Sequence, residues 1–332
     1  MFKDRTVRTL ALAAALVLLC GWLKPKPSLQ DRELERNKFF ARKVLWGPQF
    51  DIVLLGSSRT YCNVSPKAMQ KFLTGYRIAN FGFSGENMSP LLYREGQNRL
   101  DPESSRPVIV LGIDAAGLRA EPDTGSHLAM ECHRGYLEQL VRRWVSPQLK
   151  FFTPTRPSDI YRALLRRPYQ SNDHTVWHED GWAATWQDSE DLPEKLRELR
   201  RTIAQKEAGT LEPYRLPAGG IDRLLEQVRR WRQQGVAVFA FRPPTMADHW
   251  RFEEWFYQFD QPAFVRRFEE AGGIWIDLPP SDRYHTYDLS HLTLDSAVRF
   301  SEDLAQRMAD HLGRAEESAQ HGEATSRPNS GQ

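Results

Sequence analysis

The sequence predicts an α/β fold: a three-layer α/β/α sandwich around a mostly parallel five-stranded sheet, enlarged by a helical insert and preceded by a membrane helix. Three observations predict it. Five short apolar runs lie scattered along the chain, Asp51–Leu55, Arg77–Phe81, Val108–Gly112, Val236–Phe241 and Ile274–Leu278. Each is rich in β-branched residues and bounded by turn signals, the pattern of a strand buried on both faces. Helical periodicity fills the gaps between them. It is clearest in Ile221–Gln234, where Ile221, Leu224, Leu225, Val228 and Trp231 share one face and Gly235 follows as a helix stop. Strands alternating with helices call for a parallel sheet covered on both sides. The third observation is the apolar run Thr9–Leu23 at the N-terminus, flanked by Lys3, Arg5 and Arg8 before it and Lys24 and Lys26 after it.

That run reads as a targeting segment, short for a bilayer span, which needs roughly 17–25 residues, but extendable by snorkelling of Arg8 and Lys24. A cleaved signal peptide has the same charged head and apolar core. No small-x-small cleavage site follows, however, and Leu19 before Cys20 does not suit a lipidation signal, so retention as an anchor is the expectation. Basic residues ahead of the helix orient the N-terminus inward and the bulk of the chain outside the cytoplasmic membrane, as a single-pass periplasmic or extracytoplasmic protein. Residues 1–30 are then anchor and linker and residues 31–313 a single α/β domain. Residues 314–332 lack any aliphatic side chain larger than Ala and are expected to be a disordered tail.

Between about 119 and 219 the strand rhythm stops. Trp144, Trp177, Trp182 and Trp186 occur there among many arginines, and the stretch reads as a helical cap whose tryptophans pack a small core of its own, in preference to a carbohydrate platform. The last helix is expected over about Leu294–Leu312. Across the whole chain, 332 residues carry 45 Lys and Arg against 43 Asp and Glu, too even a balance for a nucleic-acid binder. With 3 cysteines among them a disulfide-dense scaffold is excluded, leaving one conceivable bridge, Cys62–Cys132. The 9 histidines form no metal-binding spacing, and no cofactor is expected.

Three short segments carry candidate chemistry. The first strand runs into Gly56-Ser57-Ser58-Arg59, which puts a hydroxyl at the carboxyl end of a strand and the start of a helix, where open α/β sheets bind ligands. Taken alone the signal is weak, since turn and N-cap chemistry is the commoner reason for Ser and Gly after a strand. The second strand ends in Asn80-Phe81-Gly82-Phe83-Ser84-Gly85-Glu86-Asn87, whose glycines let backbone N–H groups face an oxyanion; a phosphate loop would want a Lys-Ser/Thr pair. After the last strand, Asp288 precedes His291 by three residues in Tyr287-Asp288-Leu289-Ser290-His291-Leu292. There the carboxylate can take Nδ1–H and leave Nε2 to accept a proton from a serine. His285 is the rival base, without a carboxylate at that spacing.

Taken in this order, the segments resemble the blocks of the SGNH hydrolases of the GDSL esterase superfamily. Within it the chain is similar to the membrane-anchored branch of alginate O-acetylation and D-alanyl-transfer proteins. The resemblance covers about residues 48–118 and 221–312. It implies Ser58 as nucleophile, Asp288 and His291 as its partners, and an oxyanion hole of the Ser58 and Gly85 amides with Asn80 or Asn87 as a third donor. One block departs: where the family has Asn after a strand, this chain has Leu111-Gly112-Ile113-Asp114, and a carboxylate repels an oxyanion unless protonated or turned away. The resemblance further implies O-acetyl transfer to, or removal from, an envelope or exported polysaccharide, with a membrane-bound acyl-donor protein as partner. An idle SGNH-like scaffold that binds polysaccharide and a plain extracytoplasmic esterase or lipase are the other readings.

Overall fold

A computed structural model describes residues 2–23, 29–119, 126–146, 161, 165, 173–187 and 192–325. In chain order, helices α1 (Phe2–Leu23) and α2 (Leu29–Val44) lead into β1 (Ile52–Gly56), α3 (Ser58–Asn63), α4 (Pro66–Met69), β2 (Ile78–Asn80), α5 (Pro90–Gln97) and β3 (Val108–Gly112). The inserted stretch holds α6 (His127–Cys132), α7 (Tyr136–Leu140), a π-helical turn over Val141–Val145, β4 (Asp173–Trp177), β5 (Ala183–Gln187) and α8 (Leu192–Glu207). The chain then returns through α9 (Ala218–Gln233), β6 (Ala237–Phe241), α10 (Ala247–Phe256), α11 (Gln261–Glu270), β7 (Ile274–Ile276) and α12 (Leu294–Thr325).

The five apolar runs form one sheet in the order β2-β1-β3-β6-β7, every pair parallel. Strand side chains alternate between faces, so the near-continuous hydrophobicity of each run fills two cores. Val53, Leu55, Ile109, Leu111, Val238 and Ala240 meet the helices of one layer, with Phe39 and Phe40 of α2, Leu92 of α5, Trp231 of α9 and Phe268 of α11. Ile52, Leu54, Val108, Val110, Phe239 and Phe241 meet the other, with Met69 of α4 and Phe300, Leu304 and Met308 of α12. Each such side chain withdrawn from water is worth about 1.5–3 kcal/mol. Gly235, with φ +80, follows α9 and lets the chain reverse into β6.

Several expectations are corrected. The apolar N-terminal run is helical, with Leu10, Leu12 and Leu16 exposed. Among the described residues, though, no helix is long and apolar enough to cross a membrane; the first turns of α1 carry Lys3, Asp4, Arg5 and Arg8, and the apolar stretch after them is short. The insert is not purely helical, because β4 and β5 form an antiparallel hairpin. Its tryptophans do not share a separate core: Trp182 packs on the α12 side of the sheet and Trp177 against the α2 side. Trp144 is exposed. The last helix passes its expected end and continues to Thr325, through most of the segment expected to be disordered; residues 326–332 lie outside the described residues. Cys62 and Cys132 are unbridged, and Cys62 instead sits under the hairpin beside Thr185.

Candidate active site

At the carboxyl edge of the sheet, β1 ends in Gly56 and α3 begins at once. Ser57 caps α3, its Oγ accepting from Arg59 N at 3.3 Å, so Ser58 occupies the first helical position. α3 lies unusually close to the strand ends. A Cβ on Gly56 or Gly112, which face each other across β1 and β3, would come within 2.1 Å of Thr60 Oγ1, and one on Gly82 within 2.9 Å of Tyr61 N. These glycines are therefore fixed by close approach of the helix that carries Ser58.

The loop before α12 brings His291 to the same point. Its Nε2 lies 3.0 Å from Ser58 Oγ and its Nδ1 2.8 Å from Asp288 Oδ2. Asp288 Oδ1 accepts the backbone N–H groups of His291 at 2.7 Å and Ser290 at 3.1 Å. The carboxylate thus folds its own turn and orients the ring with its two oxygens. Burial alone would raise its pKa, but the hydrogen bond and charge of His291 and the two N–H groups outweigh it and hold Asp288 well below the usual carboxylate range. Thr286 and Leu292 form an antiparallel bridge that closes the loop, the Tyr287 ring stacks on His291, and Leu292 N donates to Asn63 Oδ1 at 2.9 Å, tying the loop to the end of α3. With Nδ1–H directed at Asp288, the Nε2 lone pair faces the Ser58 hydroxyl and can take its proton.

The other predicted residues divide. Gly85 has φ +68 with open space about it, and neither its N–H nor that of Ser58 meets an acceptor among the described residues. Asn80 is no oxyanion donor: it is fully buried, its Nδ2 donates to Thr60 O and Val64 O, and its Oδ1 accepts from Gly82 N. Asn87 is half-buried, with no hydrogen bond to Ser58 or His291 among the described residues. Asp114 is buried and both oxygens are engaged, Oδ2 by Ser57 Oγ at 2.6 Å and Oδ1 by Gly117 N at 2.7 Å. It braces the turn before Ser58, with both oxygens already engaged. His285 is exposed and makes no contact with Ser58 among the described residues; its backbone N–H bonds Ser296 Oγ.

Sequence reasoning missed several neighbours. Lys43 of α2 is fully buried; its Nζ donates to Gly82 O at 2.7 Å and lies 4.4 Å from the Phe39 ring centroid. Burial pushes its ammonium well below the ordinary lysine range. Lys195 of α8 reaches from the insert to within 3.6 Å of Asp288 Oδ2. Trp182 Nε1 donates to Cys62 O at 2.8 Å, and Asn80 N to Asp180 O at 2.8 Å, so the hairpin clamps α3 and the end of β2 from outside. Nothing in the sequence marked these residues in advance, nor the partner of Arg59, the residue after Ser58, which makes a two-pronged ion pair with the buried Glu253 at 3.0 and 2.6 Å.

No protein-family model matches the chain, and no curated protein matches it in sequence. A solved structure provisionally described as a platelet activating factor from Streptococcus pneumonia is 12% identical, aligned over 88% of this chain and 99% of that one, with a TM-score of 0.33. So loose a likeness carries neither fold nor function.

Proposed function

We propose that the protein is a serine acyltransferase or esterase with Ser58 as nucleophile, His291 as general base and Asp288 as the group that orients it. The observation that carries this reading is the continuous chain from Ser58 Oγ to His291 Nε2 at 3.0 Å and from Nδ1 to Asp288 at 2.8 Å. In the first half-reaction Ser58 Oγ attacks an ester carbonyl while its proton passes to Nε2. The amides of Ser58 and Gly85 receive the oxyanion, and collapse expels the alcohol with the proton returned from Nε2. In the second, water or a sugar hydroxyl attacks the acyl-serine by the same route. Asp114 is occupied by Ser57 and Gly117 and Asn80 by backbone groups, so neither adds a side-chain donor to the two amides; one missing donor costs about 100–1,000-fold in rate. That cost suits slow acyl transfer better than fast general hydrolysis. The reading extends to O-acetyl groups of an envelope or exported polysaccharide, with the α/β domain outside the cytoplasmic membrane and a membrane-bound acyl-donor protein as partner.

The carboxylate of Asp114, where the resemblance calls for an Asn donor, favours a second reading, an idle SGNH-like domain that binds polysaccharide or scaffolds an export complex. Turnover of a small acetyl ester and acetyl transfer to polysaccharide by the full chain separate the two. Ser58→Ala is expected to fold normally and to lose at least about 1,000-fold in both. Equal turnover in the variant would sink the serine reading, and no turnover by either protein would favour the scaffold.

A further inference from the structure

Ser58 and His291 come from opposite ends of the folded chain, and one helix touches both of their carriers. Met246, which precedes the first residue of α10, donates its N–H to Leu289 O at 2.8 Å. Leu289 lies between Asp288 and His291 and has φ +78, a conformation a leucine does not hold without support. Two turns along α10, Glu253 receives both Nη groups of Arg59, the residue after Ser58. The helix is itself fixed to the sheet: Arg242, at the end of β6, lies 3.6 Å from Glu253, stacks 3.5 Å over Trp250 and donates to Glu254 at 2.8 Å. Burial would raise the Glu253 pKa, yet the Arg59 guanidinium keeps it below the ordinary range, so the pair is ionic. A guanidinium fork on a carboxylate fixes orientation as well as distance.

We propose that α10 is a brace that sets the separation of Ser58 from His291, gripping the serine turn through Glu253 and Arg59 and the histidine turn through Met246 and Leu289. Arg59, Glu253 and Met246 are positioning residues in this scheme, which rests on the acyl-serine reading above. Geometry is where the brace acts, since a misplacement of about 1 Å between reacting groups can cost about 100-fold in rate.

The test measures, on the full chain, fluorophosphonate labelling rate and kcat and KM for a small acetyl ester, alongside thermal stability. Arg59→Lys keeps the charge and loses the fork. Met246→Pro removes the N–H at a residue whose φ of −58 suits proline. Glu253→Gln removes the charge between two arginines. Each is expected to lower labelling and kcat by about 10–100-fold with KM nearly unchanged, whereas Arg267→Ala, which breaks a surface pair with Asp222, leaves both at the wild-type value. Should Glu253→Gln fail to fold, the other two variants decide. Wild-type labelling rates in folded Arg59→Lys and Met246→Pro, with Ser58→Ala unlabelled, would overturn the brace and leave the serine reading standing. A wild-type protein that does not label at all would bring down both.

Discussion

The serine and histidine arms of the site are held by different forces. Ser58 rides on a helix pressed against the strand ends, where Gly56, Gly82 and Gly112 leave no room for another carbon. Around it, Asn80, Lys43 and Asp114 are buried and bonded. His291 rides on a loop beyond the sheet whose shape depends on a few directed hydrogen bonds, from Asp288, Asn63 and Met246, and on a leucine with φ +78. Close approach to the strand ends dominates in the serine arm, with buried polar bonds such as Ser57–Asp114 and Arg59–Glu253 added to it, and directed hydrogen bonds dominate in the histidine arm. Adding an atom should break the first, and removing an acceptor the second.

The largest effect is expected in the histidine arm. Asp288→Asn leaves the loop nearly the same shape but favours the wrong tautomer of His291, and acetyl-ester turnover should fall by about 10,000-fold. The same carboxylate gives a pH signature. Its folded pKa is depressed, so its contribution to stability is fully present above about pH 4, the unfolded value. That contribution is lost as pH falls towards the folded value. Thermal unfolding should show wild type more stable than Asp288→Asn at neutral pH and the gap closing below about pH 4. A gap that stays constant would contradict the depressed pKa.

In the serine arm the corresponding experiment is Gly56→Ala. The new methyl collides with Thr60, and denaturant unfolding should report a loss of about 2–3 kcal/mol; an unchanged midpoint would mean that α3 has slack. The smallest of these effects is expected from Asn63→Ala, which leaves Leu292 N–H without its acceptor. About 1–2 kcal/mol of stability should go, and turnover should fall more than fluorophosphonate labelling of a fully saturated sample. If stability fell with turnover intact, the histidine loop would be held by its neighbours instead.

Much of the frame was legible in the chain. The five strand runs sit within two residues of their expected limits, because a strand buried on both faces needs continuous apolar character and few other segments have it. The serine turn and the Asp288–His291 turn are local, three or four residues each, and their spacing alone fixes the hydrogen bonds they can make. The hairpin β4–β5 escaped notice because only a handful of its residues are β-branched, and its purpose, bonding β2 and α3 from outside, is a matter of tertiary contact. Helix α2 was hidden by its polar composition, although Phe39, Phe40 and Lys43 are all buried. Asn80 misled because a polar residue beside a glycine loop reads as a donor to substrate, while here it ties two backbone carbonyls. The α10 brace had no local signature at all: Met246 and Glu253 are ordinary helix-start and helix-face residues until Leu289 and Arg59 arrive beside them.

The central claim is that Ser58, and not its neighbour Ser57, is the activated hydroxyl. Ser57 Oγ donates to Asp114 at 2.6 Å, and only Ser58 Oγ faces His291 Nε2. Mass measurement of the folded protein after reaction with a fluorophosphonate, followed by peptide mapping, tests this directly. A single adduct on Ser58, lost in His291→Ala, is the predicted result; an adduct on Ser57, or one that persists in Ser58→Ala, would contradict it.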